Sequence, residues 1–272
     1  MSDQLQGRTA VVTGGASGIG AALCAELASR GMAVVVADID GESARRVAAE
    51  LDGPALGVPT DVTDPESAKA LARAAYAEFG SVELLCNNAG VLLFGTIADS
   101  SVGDWRWLSS VNIEGLLNCL HAFLPRMRGQ GGWRHVMNTA STHAFLPDPG
   151  FTALYSATKN AIVGLSHGLR AELEPDGIGV TVLCPGQVDT RILDSQRNRP
   201  GTFGRRAAEP FGTGPIPMAI EPAQVARDAV EGVLRGAPLV FSLPSHGRDI
   251  FHSQVRELWQ LAGDALDLDV PR

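Results

Sequence analysis

The stretch TAVVTGGASGIG, Thr9–Gly20, most constrains what this chain can become. A short β-branched run reads as a buried strand. It hands over, through a glycine-rich turn, to a helix running from about Ile19 to Arg30, where Gly31 is a plausible stop. A strand that passes straight into a helix opens a βαβ unit, and the alternation recurs down the chain. Ala33–Asp38 is apolar on both faces, as a central parallel strand should be. A helix over Glu42–Leu51 and a third strand near Leu56–Thr60 follow. Asp64-Pro65 then looks like an N-cap with proline at the first helical position, opening a helix that Phe79 ends and Gly80 closes. Further strands are expected at Val82–Gly90, His135–Ala140, Val180–Gly186 and Pro238–Leu243. Long helices are expected over Trp105–Met127 and Thr152–Glu174, and a shorter one over Pro222–Arg235.

This order predicts an α/β fold: one doubly wound, Rossmann-like domain over 1–272, with a central parallel sheet of about seven strands. No linker or repeat divides the chain. Two segments stand apart. Gln196–Ile220 is rich in Gly, Pro and Arg without periodicity, which reads as a lid over a site. The charged amphipathic tail, 246–272, reads as a helical extension with its helix over Arg248–Leu268.

Composition narrows the function. A formal net charge of -8 disfavours nucleic acid and anionic lipid as partners. The one dense basic stretch, Arg197, Arg199, Arg205 and Arg206, reads as a solvated loop. Cys24, Cys86, Cys119 and Cys184 each lie in an apolar run with no C-x-x-C pair, so buried free thiols are expected, as suits a reducing cytoplasm. No signal peptide, membrane-length apolar run or metal-ligand spacing is evident.

In the turn itself, Gly14 would permit the tight bend, Gly18 the approach of a pyrophosphate and Gly20 close packing of helix on strand. Ser17 and Ile19 complete the loop, whose helix N-terminus offers N–H groups to phosphate. The spacing is G-x-x-x-G-x-G, which departs from G-x-G-x-x-G. Asp38 ends the second strand, 18 residues beyond Gly20, where a carboxylate can bind ribose hydroxyls. Its charge would repel a 2′-phosphate and Ile39 supplies no arginine, so NAD is expected over NADP.

The segment LYSATKNA, Leu154–Ala161, supports two chemistries. Ser156 and Lys159 have the S-x-x-K spacing of a serine acyl-transferase. Tyr155 and Lys159 have the Y-x-x-x-K spacing of an enzyme with a phenolic acid/base. The first needs S-D-N and K-T-G companions, which are absent, as is a G-x-S-x-G elbow.

With these residues in hand the chain resembles the short-chain dehydrogenase/reductase family over about Leu5–Thr190. The T-G-x-x-x-G-x-G turn is Thr13–Gly20, N-N-A-G is Asn87–Gly90, Y-x-x-x-K is Tyr155–Lys159, and P-G-x-V-x-T is Pro185–Thr190. The resemblance implies that Asp61 and Val62 meet the adenine, and that Asn88, Gly90, Gly186 and Val188 contact the dinucleotide. It implies a catalytic set of Asn112, Ser141, Tyr155 and Lys159. In that set Tyr155 and Lys159 also touch the cofactor, and Asn112 holds a water linking Lys159 to solvent. One departure concerns the serine, which in the family lies 13 residues before the tyrosine. Here that position is Thr142. Ser141 fits better when counted from Asn138, with a one-residue insertion near Phe151–Leu154, and Thr142 remains the alternative.

Tyr155 and Lys159, at i and i+4, share a helix face. A phenol titrates near ~10, and a neighbouring ammonium favours its ionised form. Tyr155 would then take the alcohol proton in oxidation or donate it in reduction. Ser141 would hydrogen-bond the substrate oxygen. The expected activity is NAD-dependent interconversion of a secondary alcohol and a ketone. The alternative is a non-catalytic NAD sensor of the same fold. Phe94, Phe145, Leu146, Phe151, Phe203 and Phe211 would wall the pocket, which points to a bulky apolar or aromatic small-molecule substrate. His143 reads as an ordinary loop histidine. The resemblance also implies a homotetramer or homodimer packed through the two long helices.

Overall fold

The structure, a computed structural model, describes residues 4–146, 150–204 and 219–265. Seven parallel strands form one sheet: β1 (Thr9–Thr13), β2 (Ala33–Asp38), β3 (Ala55–Pro59), β4 (Leu84–Asn87), β5 (Arg134–Thr139), β6 (Ile178–Pro185) and β7 (Leu239–Ser242). Their order is β3-β2-β1-β4-β5-β6-β7, and every adjacent pair is parallel. The chain moves outward from β1 to β3, then returns to lay β4 on the other side of β1. That reversal opens a crevice beyond the carboxyl ends of β1 and β4.

Period-2 alternation divides the core. Val12, Val34, Val36, Leu84 and Met137 face α1 (Gly18–Ser29), α2 (Gly41–Glu50) and α7 (Pro222–Leu234). Val11, Val35, Leu85, Val136 and Val182 face α3 (Pro65–Phe79), α5 (Gly115–Gly129) and α6 (Ala153–Leu173). Both faces are covered, which is why these strands read as unbroken apolar runs. Phe123 in α5, Leu27 in α1 and Leu71 in α3 are wholly buried, each worth roughly 2–3 kcal/mol of transfer free energy. The four cysteines are free and buried.

The helix expected over Trp105–Met127 is longer and is interrupted. It begins as α4 (Val102–Ser109), where the Ser101 side chain caps the Asp104 N–H and the Asp104 carboxylate accepts from the Ser101 N–H. It then passes through a π-helical turn, Ser110–Glu114, into α5. The lid segment is not wholly irregular, since 3₁₀ turns span Arg191–Asn198 and Gly201–Phe203. Arg205, Arg206 and Phe211 lie outside the described residues. The tail forms α8 (Ser245–Ala265), and the remainder of the expected extension lies outside them too. No helix among the described residues is long and apolar enough to cross a membrane.

Candidate active site

The glycine turn is held from two sides. Gly14 has φ of 63°, a left-handed conformation that favours glycine. A Cβ on Gly20 would collide with the Gly14 carbonyl, and it would sit 2.7 Å from the Asn88 side-chain nitrogen. Asn88 fastens the end of β4 to this turn. Its backbone N–H donates to Thr13 Oγ1 at 3.0 Å and its side chain to the Thr13 carbonyl at 3.0 Å. Asp38 is held in the same way: its carboxylate accepts from the Ala16 and Asp40 N–H groups, each at 3.0 Å. Asp61 Oδ1 accepts from the N–H and the hydroxyl of Thr63, and Val62 is buried with its carbonyl bonded by Asn118.

A cavity of about 920 Å³ occupies the crevice. Gly14, Ser17, Gly18, Ile19, Gly20, Asp38, Asp61 and Val62 line one part of it. Asn88, Gly90, Gly186 and Val188 line its floor, with Ser141, Tyr155 and Lys159. Asn112 is the exception, being 1% exposed behind that wall. Its Oδ1 accepts from the Val91 N–H at 2.8 Å, and its Nδ2 donates to the Val91 carbonyl and to Thr158 Oγ1, each at 3.0 Å. The Asn112 side chain therefore braces the turn after β4 against α6.

Tyr155 and Lys159 share the inward face of α6. The Lys159 ammonium donates to the Thr139 carbonyl at 3.0 Å and lies 5.6 Å from the centre of the Tyr155 ring. Burial pulls Lys159 down to about 8 and pushes the Tyr155 phenol up to about 12. A hydrogen bond from Ser141 acts on the phenol in the opposite direction. In the free protein burial thus outweighs that hydrogen bond, and Tyr155 keeps its proton. Ser141 Oγ also accepts from the His143 N–H at 3.2 Å. Thr142 lines the cavity as well, but the hydroxyl paired with Tyr155 is that of Ser141. Ser156 is buried beside Thr152, 3.4 Å between hydroxyls, and does not line the cavity. The S-x-x-K reading has no place there.

Two expectations are corrected. His143 is not an ordinary loop residue: it lines the cavity, with its ring edge-on to Tyr155 at 5.7 Å between centroids. Within the basic stretch Arg197 is exposed as expected, but Arg199 is not solvated, its side chain being 4% exposed in an ion pair with Asp104 at 2.6 Å. Phe94, Leu146, Phe151 and Phe203 line the cavity as expected. Phe145 instead packs against Phe241 and Phe251. Trp107, Phe251 and Gln254 are on the cavity wall without any sign in the sequence, whereas Arg197 reaches it from the expected lid segment. Phe251 and Gln254 come from α8, so the tail covers one side of the site.

The family model for short chain dehydrogenases matches residues 8–201, and the chain belongs to that family. It is 42% identical over 194 residues to a 1-deoxy-11-beta-hydroxypentalenate dehydrogenase of Streptomyces exfoliatus, covering 70% of each chain. It is 36% identical over 203 residues to a C alpha-dehydrogenase of Sphingobium sp. strain SYK-6, covering 73% of this chain and 66% of that one. A short chain dehydrogenase/reductase from Burkholderia phymatum, solved in complex with NAD, superposes with a TM-score of 0.83 at 31% identity, covering 99% of this chain and 98% of that one.

Proposed function

We propose that this protein interconverts a secondary alcohol and a ketone with NAD as the preferred cofactor, on a bulky apolar or aromatic substrate. The observation that carries the reading is the meeting of the Tyr155 phenol, the Ser141 hydroxyl and the Lys159 ammonium on one wall of a cavity that also contains the glycine turn and Asp38. A dinucleotide fits this set. The turn approaches without Cβ atoms, the α1 N-terminus faces the cavity, and the Asp38 carboxylate is oriented by two N–H donors with lone pairs to spare for ribose hydroxyls. The relatives named above support the redox class, two of them being dehydrogenases by name and a third having been solved with NAD.

A bound nicotinamide supplies the hydride acceptor or donor. The protein's own residues do the rest. Ser141 donates to the substrate oxygen and holds it beside Tyr155. In the reductive direction the protonated phenol gives its proton to that oxygen as negative charge develops there. In oxidation Tyr155 must accept the alcohol proton, which requires its pKa to fall from the buried value. The positive charge of the oxidised ring and the Lys159 ammonium both act in that direction. Lys159 would also hold the nicotinamide ribose, and Asn112 holds Val91 and Thr158 in register behind it. Trp107, Phe94, Phe151 and Phe203 exclude water from the substrate. The assembly proposed is a homotetramer or homodimer through α5 and α6, which sedimentation of the purified chain tests.

A side-by-side panel of steroid, aryl and small polar secondary alcohols with NAD tests the function. Turnover is expected with the bulky apolar members. Exclusive turnover of a small polar alcohol would sink the substrate assignment, and NAD binding with no turnover anywhere would favour the sensor.

A further inference from the structure

The basic stretch has a second use. Segment 191–204 crosses the cavity as a strap and is tied down at several points. Ser195 is buried, and its hydroxyl accepts from the Leu92 N–H at 3.1 Å. Arg199 Nη1 donates to Asp104 Oδ1 at 2.6 Å and its Nη2 to the Phe203 carbonyl at 2.6 Å, while its guanidinium lies 5.2 Å from the Trp107 ring centre. The strap lies so close to α4 that a Cβ on Gly103 would sit 2.8 Å from the Phe203 carbonyl. Asp104 is fixed in turn by the Ser101 cap, and both side chains of the ion pair are 4% exposed. A buried pair like this does little for net stability but fixes one geometry.

Arg197 lines the same cavity as the glycine turn and lies near enough to Asp38 and Asp40 to feel their charge. Its Nη1 is held by the Arg191 carbonyl at 3.0 Å and the Asp194 carbonyl at 2.8 Å. Its Nε and Nη2 donate to nothing among the described residues. Burial and the charge of Arg191 pull its guanidinium below the ordinary value, against the upward pull of Asp194, Asp38 and Asp40. Arg197 Nη1 lies 3.9 Å from Asp194 Oδ2. A guanidinium at the cavity mouth with free N–H groups matches phosphate oxygens.

We propose that Arg197 is a phosphate-binding residue for the dinucleotide, delivered to it by the strap and held there by the Arg199–Asp104 ion pair. The inference rests on the dinucleotide reading above. The phosphate is either the bridging pyrophosphate or the 2′-phosphate of NADP, and the two sources separate by experiment.

Calorimetric titration of the full chain with NAD, NADP and adenosine tests it, using Arg197→Gln, Arg197→Lys, Asp104→Asn and Asp104→Glu. Arg197→Gln is expected to weaken dinucleotide binding about tenfold or more, the loss of a charge-assisted pair, and to leave adenosine binding unchanged. Equal losses for NAD and NADP identify the bridging phosphates, and a loss for NADP alone identifies the 2′-phosphate. Arg197→Lys recovers part of the affinity. Asp104→Asn weakens the same ligands with adenosine again unchanged, and Asp104→Glu recovers part of that loss. Parent-like dinucleotide affinity in Arg197→Gln, or an equal loss of adenosine, overturns the proposal. A parent protein that binds neither dinucleotide overturns the cofactor reading itself.

Discussion

The Lys159 ammonium lies 5.6 Å from the centre of the Tyr155 ring, both buried on one face of α6, and burial moves their pKa values apart. The phenol rises to about 12 and the amine falls to about 8. Under the proposed oxidation, a low-pKa phenol is therefore a property that bound oxidised cofactor would have to create.

An ultraviolet difference titration reads this directly, because the chain has two tyrosines, Tyr76 and Tyr155. Burial pushes both up to about 12. Neither is expected to ionise below about pH 11 in the free protein. Saturating NAD should bring one phenol down by at least one pH unit, and Tyr155→Phe should abolish that component. A cofactor-independent phenolate near neutral pH would show that burial does not control the site.

Replacing Asp38 by Asn removes the charge and keeps only one of the two oxygens that accept from the Ala16 and Asp40 N–H groups. The preference for NAD over NADP should shrink about tenfold or more in kcat/KM, since a unit charge near a phosphate at the protein surface is worth a few kcal/mol, about 4 at contact. An unchanged ratio would place the adenosine ribose elsewhere.

Asn112→Ala leaves the buried Val91 N–H and carbonyl without that partner and removes one of the two bonds of the Thr158 hydroxyl. Urea unfolding should show a loss of roughly 2–4 kcal/mol. A loss under about 1 kcal/mol would mean that water replaces the side chain without cost.

His135 is a buried residue of β5 with its Nε2 2.8 Å from Thr181 Oγ1. Burial, with Arg170 adding to it, holds the imidazole down at about 4. Between the unfolded value near ~6.5 and about 4 the unfolded chain binds the extra proton. Stability is therefore full above that window and falls as pH drops through it, by roughly 2–3 kcal/mol for this residue. His135→Gln should flatten the slope of unfolding free energy between pH 6.5 and 4, and an unaltered slope would assign acid sensitivity to other groups.

Much of the fold was legible because the signals were local. Ala33–Asp38 reads as an unbroken apolar strand and is one, and Asp64-Pro65 and Gly80 bracket α3 as their capping chemistry dictates. The start of α4 is also written locally, as the S-x-x-D of Ser101–Asp104, but apolar periodicity draws the eye to Trp105. The π-helical turn is harder to read, because its only mark is a phase shift in the apolar pattern, with no capping residue to flag it. The strap was opaque for a different reason. It is ordered by the Arg199–Asp104 pair across 95 residues of sequence, and nothing near Arg199 announces its partner. Likewise, the turn, Asp38 and the Y-x-x-x-K pair could be named from spacing, whereas Phe251 and Gln254 reach the cavity only through the docking of α8.

The most direct test compares Tyr155→Phe with the parent protein on the best alcohol from the substrate panel, with NAD affinity measured calorimetrically on both. Loss of the phenolic oxygen should lower kcat roughly 10²–10⁴-fold while the NAD dissociation constant changes by less than about threefold. Turnover within tenfold of the parent would contradict the assignment of Tyr155 as the group that moves the proton.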